Sequence, residues 1–309
     1  MASDSIIRVN FDGSTNKELF KKLIEGIFDN TEREALVEYP NMFKTQTSNE
    51  EYIRKLRMAG LPLGGEVAEG ENIPIYAPKY GGTKDWTQKS FGLGFRITDR
   101  MKRFNKWGLM EKFTKSLKKS QAETKDVELA KVWNNVTATT YASGYDGYAI
   151  GSASHTCLND AATAYDNLLS SALANASLES ALNYFDYLYD DQAQIMIAKP
   201  DTLYVNYALR ITANQILRSD NKSGEQSNTI NVFPDWALKI FVYHRLTSTT
   251  AWGVLAKNDS NFDINVWTAL EPDIKVKDAC DQTRDTVVDS LQYFTYGVGD
   301  SRLAYIGNT

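Results

Sequence analysis

The chain has little of what catalysis or covalent bracing needs. It holds two cysteines, Cys157 and Cys280, in 309 residues, and they do not form a close pair. That argues against a disulfide framework or a cysteine zinc site, and makes a reducing compartment the default. Cys157 reads as a small buried hydrophobe. Two histidines, His155 and His244, are the whole supply of imidazoles. Neither stands in a nucleophile-elbow or metal-ligand pattern, so the expectation is no catalytic residue, no cofactor and no metal. No run approaches the roughly 18 apolar residues of a membrane span, and no basic-then-apolar signal opens the chain, so no membrane partner is expected. Internal repeats and low-complexity tracts are missing as well.

What is present is ordinary in amount and uneven in place. The length suffices for a sizeable core and two subdomains. A net charge of −5 argues against a protein that coats nucleic acid throughout. Yet between Arg96 and Lys131 there are eleven Lys and Arg against five Asp and Glu. Such a run is either a solvated helix face or a strip that meets acidic neighbours or packaged nucleic acid.

That basic run lies on the segment around which the chain is organised, one long helix over 98–142, broken in the middle if at all. Thr98 and Asp99 are N-cap types. Met101, Phe104, Trp107, Met110, Phe113 and Leu117 recur at three- and four-residue steps. Val127, Leu129, Ala130, Val132, Trp133 and Val136 extend the apolar pattern. At about 1.5 Å per residue the run would exceed ~60 Å, a beam for a flat or elongated subunit.

In chain order, Ile6, Ile7, Val9 and Phe11 alternate as a short strand. A helix follows with Leu19, Phe20, Leu23, Ile24, Ile27 and Phe28 after the cap candidates Ser14 and Thr15. Residues 51–58 read as a helical turn or two. Residues 60–97 carry eight glycines with Pro62, Pro74 and Pro78, which precludes helix. Ile73 to Tyr76 reads as one limb of a projecting hairpin, Gly81-Gly82 as its turn, and Phe91, Leu93, Phe95 and Ile97 as the returning limb. A long hairpin is marginal alone in water, so this one is expected to rest on another subunit. Residues 144–155 form a glycine-rich loop, and 162–189 read as largely helical. A buried strand at 203–205 leads to a helix over 208–219. Strands follow at 230–233, 236–242, 252–255 and 262–267, and 285–305 are strand-rich. The class is α+β.

Several stretches, taken in order, resemble a known family. They are Lys89-Ser-Phe91-Gly-Leu-Gly-Phe95-Arg-Ile97-Thr98, Asp146-Gly147 with Ser154-His155, and Lys199-Pro200-Asp-Thr-Leu203-Tyr-Val205-Asn-Tyr-Ala208-Leu209 leading to Ile216-Leu217-Arg218-Ser219. Arg245-Leu246-Thr247 with Ala251-Trp252, and Gly299-Asp300-Ser-Arg302, complete the set. Together, over about 60–305, they resemble tailed-phage major capsid proteins, in particular Mu-like major head subunits of the Hong Kong 97-type fold.

The resemblance implies an N-terminal arm (1–48), an extended loop (60–97), a peripheral domain (49–59, 98–159 and 274–309) with the long helix as spine, and an axial domain (160–273). It implies a shell protein that assembles with itself into hexamers and pentamers around double-stranded DNA, in the host cytoplasm, and ends in the virion. Its partners would be a scaffolding protein, a portal and decoration proteins. The long N-terminal scaffolding extension of some relatives is missing, so a separate scaffolding protein is expected, or the extension has been removed. Ile73, Ile75, Tyr76, Trp86 and Phe91 are the expected intersubunit contacts of the loop. Lys112, Lys115, Lys118 and Lys119 are expected on the inner surface or against a neighbour's acidic segment. The nearest alternative is an encapsulin-like non-viral shell. The distant one is a soluble hydrolase using Ser152 or Ser154 with His155 and Asp160, a geometry that sequence does not give.

Overall fold

A computed structural model describes residues 14–30, 37–104, 106–159, 164–219, 221, 230–278 and 285–307. The chain opens on helix α1 (Ser14–Asn30) and strands β1 (Lys44–Thr47), β2 (Tyr52–Met58), β3 (Tyr80–Thr87) and β4 (Lys89–Ile97). Helices α2 (Asp99–Arg103) and α3 (Trp107–Asn134) follow, then the short strands β5 (His155–Thr156), β6 (Ala164–Tyr165) and β7 (Leu168–Leu169). Next come α4 (Asn175–Asp186), β8 (Leu188–Tyr189), β9 (Ile195–Met196), β10 (Thr202–Val205) and α5 (Arg210–Arg218). The last strands are β11 (Lys239–Val242), β12 (Trp252–Leu255), β13 (Ile264–Asp278), β14 (Thr286–Val298) and β15 (Ala304–Gly307). The chain divides into two compact units, and α3, β13 and β14 each run through both.

One unit comprises Met1–Val37, Lys89–Lys125 and Ala269–Phe294. Its core takes Phe20, Ile24 and Phe28 from α1, four residues apart and so on one face. They pack with Ile97 of β4, Met110 and Leu117 of α3, and Ile274, Val276 and Val288 of β13 and β14. Each such burial contributes about 1.5–3 kcal/mol. Thr98 caps α2, its hydroxyl accepting from the Met101 N–H at 3.3 Å. The buried stripe of α3 is partly polar: Thr114, Gln121 and Lys125 share it with Met110 and Leu117. Gln121 donates to the Ser290 carbonyl at 3.1 Å, and Gln292 donates to the Gln121 carbonyl at 2.9 Å, which ties α3 to β14. β4 lies antiparallel to β14.

The other unit comprises Glu38–Gln88, Asp126–Thr268 and Thr295–Thr309. Its five-stranded sheet runs β11-β10-β12-β15-β7, with β10, β12 and β15 buried along their whole length. Here β1 pairs in parallel with β13, the other end of a four-stranded sheet ordered β1-β13-β14-β4. The C-terminal part of α3 supplies Leu129, Val132 and Trp133 to the core. Asp126, also buried, accepts the N–H groups of Glu38 and Tyr39 and is met by Arg245.

The structure revises several expectations. The expected long helix is instead two, α2 ending at Arg103 and α3 running from Trp107 to Asn134, so α3 is about 42 Å long. Asn135 turns its side chain back to the Lys131 carbonyl there, and Val136 is buried in the following turn. Residues 52–58 are strand β2, not helix. They alternate, but Lys55 and Arg57 fill inward positions by ion-pairing, which hides the period of two. Gly81 and Gly82 lie inside β3 rather than in a turn, and 71–79 carry no strand. The hairpin is therefore β2–β3, while β4 pairs with β14 instead of returning along 73–76. Around Pro234 a 3-10 turn, Phe233–Trp236, replaces the strand expected over 230–233 and delays the one expected over 236–242, which begins at Lys239 as β11, because proline offers no N–H to a ladder. Residues 162–189 hold one helix, α4, flanked by short strands. Ile6–Phe11, Cys280 and Asp160 lie outside the described residues.

Candidate assembly surface

Strands β2 and β3 form a base that is fastened to its unit by charge and aromatic packing. Arg57 of β2 donates through Nε and Nη2 to Asp191 at 3.1 and 2.5 Å, and through Nη2 to the Thr156 carbonyl at 2.9 Å. Arg302 shares the same carboxylate. Burial alone would raise the Asp191 pKa; the two guanidiniums outweigh it and hold it below the usual carboxylate range. Lys55 lies 2.5 Å from Asp263, which also accepts the Tyr145 hydroxyl at 2.9 Å. From β3, Lys84 donates to the Ser143 and Gly144 carbonyls at 2.6 and 3.2 Å.

Between these anchored strands runs the segment 59–79, and it is held by almost nothing. The Ala59 N–H meets the Lys79 carbonyl at 3.0 Å and closes the base, and Gln192 reaches the Gly60 carbonyl. A turn at 68–71 bonds to itself. Leu61, Leu63, Ile73 and Tyr76 are exposed, and Ile75 is 96% exposed. Apolar side chains in this state cost solvation that only a partner removes.

Trp86 and Phe91 are placed differently. Trp86 packs on Trp267 and Tyr145, at 5.2 and 6.4 Å between ring centroids, and its indole fills the space where a Cβ on Gly297 would sit. Phe91 stacks on Phe294 at 4.5 Å. Both are half-buried within their own chain.

On α3, Lys112, Lys115 and Lys119 are exposed and fall at spacings of three and four, on one face. Lys115 pairs with Glu111 at 2.8 Å. Lys118 is turned inward: its ammonium donates to the Phe28 and Asp29 carbonyls at 2.6 and 3.1 Å and sits 5.2 Å over the Phe28 ring. It therefore closes the C-terminal end of α1.

The histidines are structural in placement. His155 is fully buried, its Nδ1 2.6 Å from Asp146 and its Nε2 3.2 Å from the Ser301 hydroxyl, with the ring stacked on Tyr165 at 4.7 Å. The order carboxylate–imidazole–hydroxyl is that of a hydrolase triad, but Ser301 is 2% exposed, so its hydroxyl is closed off from solvent. Ser301, 146 residues from His155, carries no sequence signal. Ser152 and Ser154, the partners considered from sequence, serve the local turn: the Ser152 hydroxyl accepts the Ser154 N–H. His244 meets the buried carboxylate of Glu38. Cys157 is buried and unpaired, and burial pushes its thiol pKa up. Among the described residues no group of three or more His, Cys, Asp or Glu is arranged to hold a metal ion, and no helix is long and apolar enough to cross a membrane.

An anchored base, a projecting apolar loop and an exposed cationic helix face suit a protein that associates with copies of itself. Comparison with known proteins agrees. Residues 81–306 match the family model described as phage capsid protein, and the chain belongs to that family. It is a structural subunit of a capsid shell and a component of a virion. Its α+β fold is of the Hong Kong 97 type. Among solved structures it is similar to the "Capsid structure of the Cyanophage P-SCSP1u" (TM-score 0.56, 12% identity, 88% of each chain covered). It is also similar to one titled "Microbacterium phage Oxtober96" (TM-score 0.54, 10% identity, 89% of this chain and 91% of that one). A third is "The head structure of Helicobacter pylori bacteriophage KHP40" (TM-score 0.53, 8% identity, 86% of each). A search of curated proteins finds no match.

Proposed function

We propose that this chain is the major capsid protein of an icosahedral head, assembling as hexamers and pentamers around packaged double-stranded DNA. The observation that carries the reading is the loop at 59–79, rich in exposed apolar side chains and held by few hydrogen bonds above a firmly anchored base. Such a segment is a strap across a neighbouring subunit, with Ile73, Ile75 and Tyr76 as its contacts. The division into arm (1–48), extended loop (60–97), peripheral domain and axial domain (160–273) is part of this proposal. So are assembly in the host cytoplasm and the use of scaffolding, portal and decoration proteins. Lys112, Lys115 and Lys119 face the packaged DNA, which they hold through phosphate contacts that carry no sequence preference. The protein performs no catalysis: His155 and His244 each serve a buried carboxylate, and the one hydroxyl in line with His155 is sealed.

The test replaces residues 61–78 with a short Gly/Ser turn, keeping the Ala59–Lys79 bond that closes the hairpin. Sedimentation and thermal unfolding are run on the same preparation. The expected result is a monomer of unchanged melting temperature that no longer forms shells. Shells that still close would show that the loop is not the strap. Global unfolding would assign it to the subunit's own core.

A further inference from the structure

A loop that straps a neighbour needs a way to attach, and the proline spacing of 72–78 defines one. Over these residues the chain forms no helix, strand or turn, and among the described residues none of its backbone groups is bonded. In an extended strand, successive residues point their N–H and C=O to opposite edges. Pro74 and Pro78 stand on one parity with Asn72 and Tyr76, so that edge keeps two donors of four, with no two adjacent along it. Ile73, Ile75 and Ala77 stand on the other parity and keep every donor. A strand with proline confined to one parity pairs along one edge and is blocked along the other.

A matching free edge exists on the same chain. Among the described residues β4 is the outer strand of its sheet, nine residues long, paired with β14 on one side only. A Cβ on Gly94 would meet the Val288 carbonyl at 2.8 Å, and one on Gly92 the Ser290 carbonyl at 3.5 Å. Those carbonyls therefore point at β4, toward the N–H groups of Phe95 and Leu93. The two glycines sit at the narrow, non-bonded pairs, and their own N–H and C=O point to the free edge. Their face is open to solvent at Ser90, Gly92, Gly94 and Arg96, bordered by the Leu291 and Asp289 side chains of β14, which lie 3.2 Å from where a Cβ would stand on Gly92 and Gly94.

We infer that residues 71–77 of one copy add as an antiparallel strand to the free edge of β4 in a second copy, Ile73 opposite Gly94 and Ile75 opposite Gly92, an attachment that rests on the loop being the strap. The isoleucines then lie on the face that the glycines leave empty, since facing residues share a side of the sheet. The same register sets Glu71 opposite Arg96, whose side chain is 60% exposed with Asp285 3.8 Å away, and Ala77 opposite Ser90. Pro74 and Pro78 stop a third strand from joining, so the addition ends after one partner. Backbone bonds supply the attachment and the glycine–isoleucine fit supplies the register, as in strand-addition recognition generally.

The experiment co-assembles Ala77→Cys chains with Ser90→Cys chains and oxidises the product mildly. Facing residues lie within disulfide reach, so covalent dimers should form in the mixture and in neither chain alone. Ala77→Cys mixed with Arg96→Cys, offset by six residues, should give none. In the unsubstituted background, Ala77→Pro removes a donor with almost no loss of side chain and should lower shell yield at least tenfold. Tyr76→Pro, on the blocked edge, should behave as Tyr76→Ala does. Dimers no more frequent than in the single-variant controls, or full shell yield from Ala77→Pro, would overturn the inference. If the loop-deleted chain fails to assemble while these variants behave as the unsubstituted chain, the strap reading stands and strand addition falls. A loop-deleted chain that closes shells removes both.

Discussion

His155 and Asp146 meet in the interior, the imidazole Nδ1 2.6 Å from the carboxylate and the ring wholly out of contact with water. Through the Ser301 hydroxyl on the far side, the pair joins the glycine-rich loop at 144–150 to the turn that precedes β15. Burial alone would raise the Asp146 pKa. The hydrogen bond and charge of His155 outweigh it, with the Tyr148 N–H and Arg57 adding to them, and the carboxyl is held below its ordinary range. Replacing His155 with Ala strands a buried charge and should cost about 3–5 kcal/mol in urea unfolding. The sign of the pH effect comes from the depressed pKa. The contribution is present above the unfolded-state value near ~3.9 and lost as pH falls through the lower folded one. The loss of stability as pH falls below about 4 should therefore be shallower in Asp146→Asn than in the unsubstituted chain. An identical acid limb in both would show that Asp146 is not ionised in the native state.

A second buried charge group gives a contrast in magnitude. Asp191 stands between Arg57 and Arg302, both nearly buried. Asp191→Asn leaves Arg57 without its ion-pair partner and Arg302 with Asp300 alone, whereas Arg57→Met leaves Asp191 paired with Arg302. The first should destabilise by about 3–5 kcal/mol and the second by distinctly less. Chemical denaturation of the two variants ranks them, and the reverse order would mean that Arg57 rather than Asp191 holds the group together.

These two clusters also show where sequence reading stops. Alternation finds Phe91, Phe95 and Ile97 on one side of β4 and finds a strand over 286–298, but there it picks the half-buried Val287, Leu291 and Tyr293, while the buried positions alternate with them at Thr286, Val288, Ser290, Gln292 and Phe294. It misses β2, because two of its three inner positions hold Lys55 and Arg57, and the carboxylates that make this tolerable are far away, at Asp263 and Asp191. The stripe of α3 is legible at Met110 and Leu117 but not at Thr114, Gln121 or Lys125, whose partners are carbonyls and a ring on distant strands or the preceding turn. The exposed half of the candidate surface, Ile73 to Tyr76, is readable as apolar residues among prolines and glycines. Trp86 is not separable from them, because the absence of a side chain at Gly297 that makes room for it is a tertiary fact.

Trp86 therefore yields a prediction opposite to that for the loop. Its indole is packed against Trp267 and over Gly297, so Trp86→Ala should cost about 3–5 kcal/mol of subunit stability. Gly297→Ala should also destabilise, by driving a methyl group into that ring. Ile75→Ala, at 96% exposure, should leave the monomer within about 0.5 kcal/mol and lower only shell yield. Thermal unfolding of unassembled protein separates the two classes, and a stable Trp86→Ala monomer would return Trp86 to the intersubunit surface.

The last prediction divides the four lysines of α3. Lys118 spends its charge inside the chain, on the Phe28 and Asp29 carbonyls and over the Phe28 ring, so Lys118→Ala should fray the end of α1. Hydrogen bonds to a charged donor contribute about 1.5–3 kcal/mol, and hydrogen exchange at 26–30 should rise accordingly. Lys112, Lys115 and Lys119 point to solvent, where an exposed ion pair such as Lys115–Glu111 contributes about 0–1 kcal/mol. Changing those three to Glu should therefore spare folding and act on what the face meets in the shell. If that is packaged DNA, three cationic contacts become three repulsions per subunit. Nuclease-protected DNA per particle should drop, most steeply at low salt where phosphate contacts are strongest. Particles that keep their DNA with all three charges reversed would remove this face from contact with the genome.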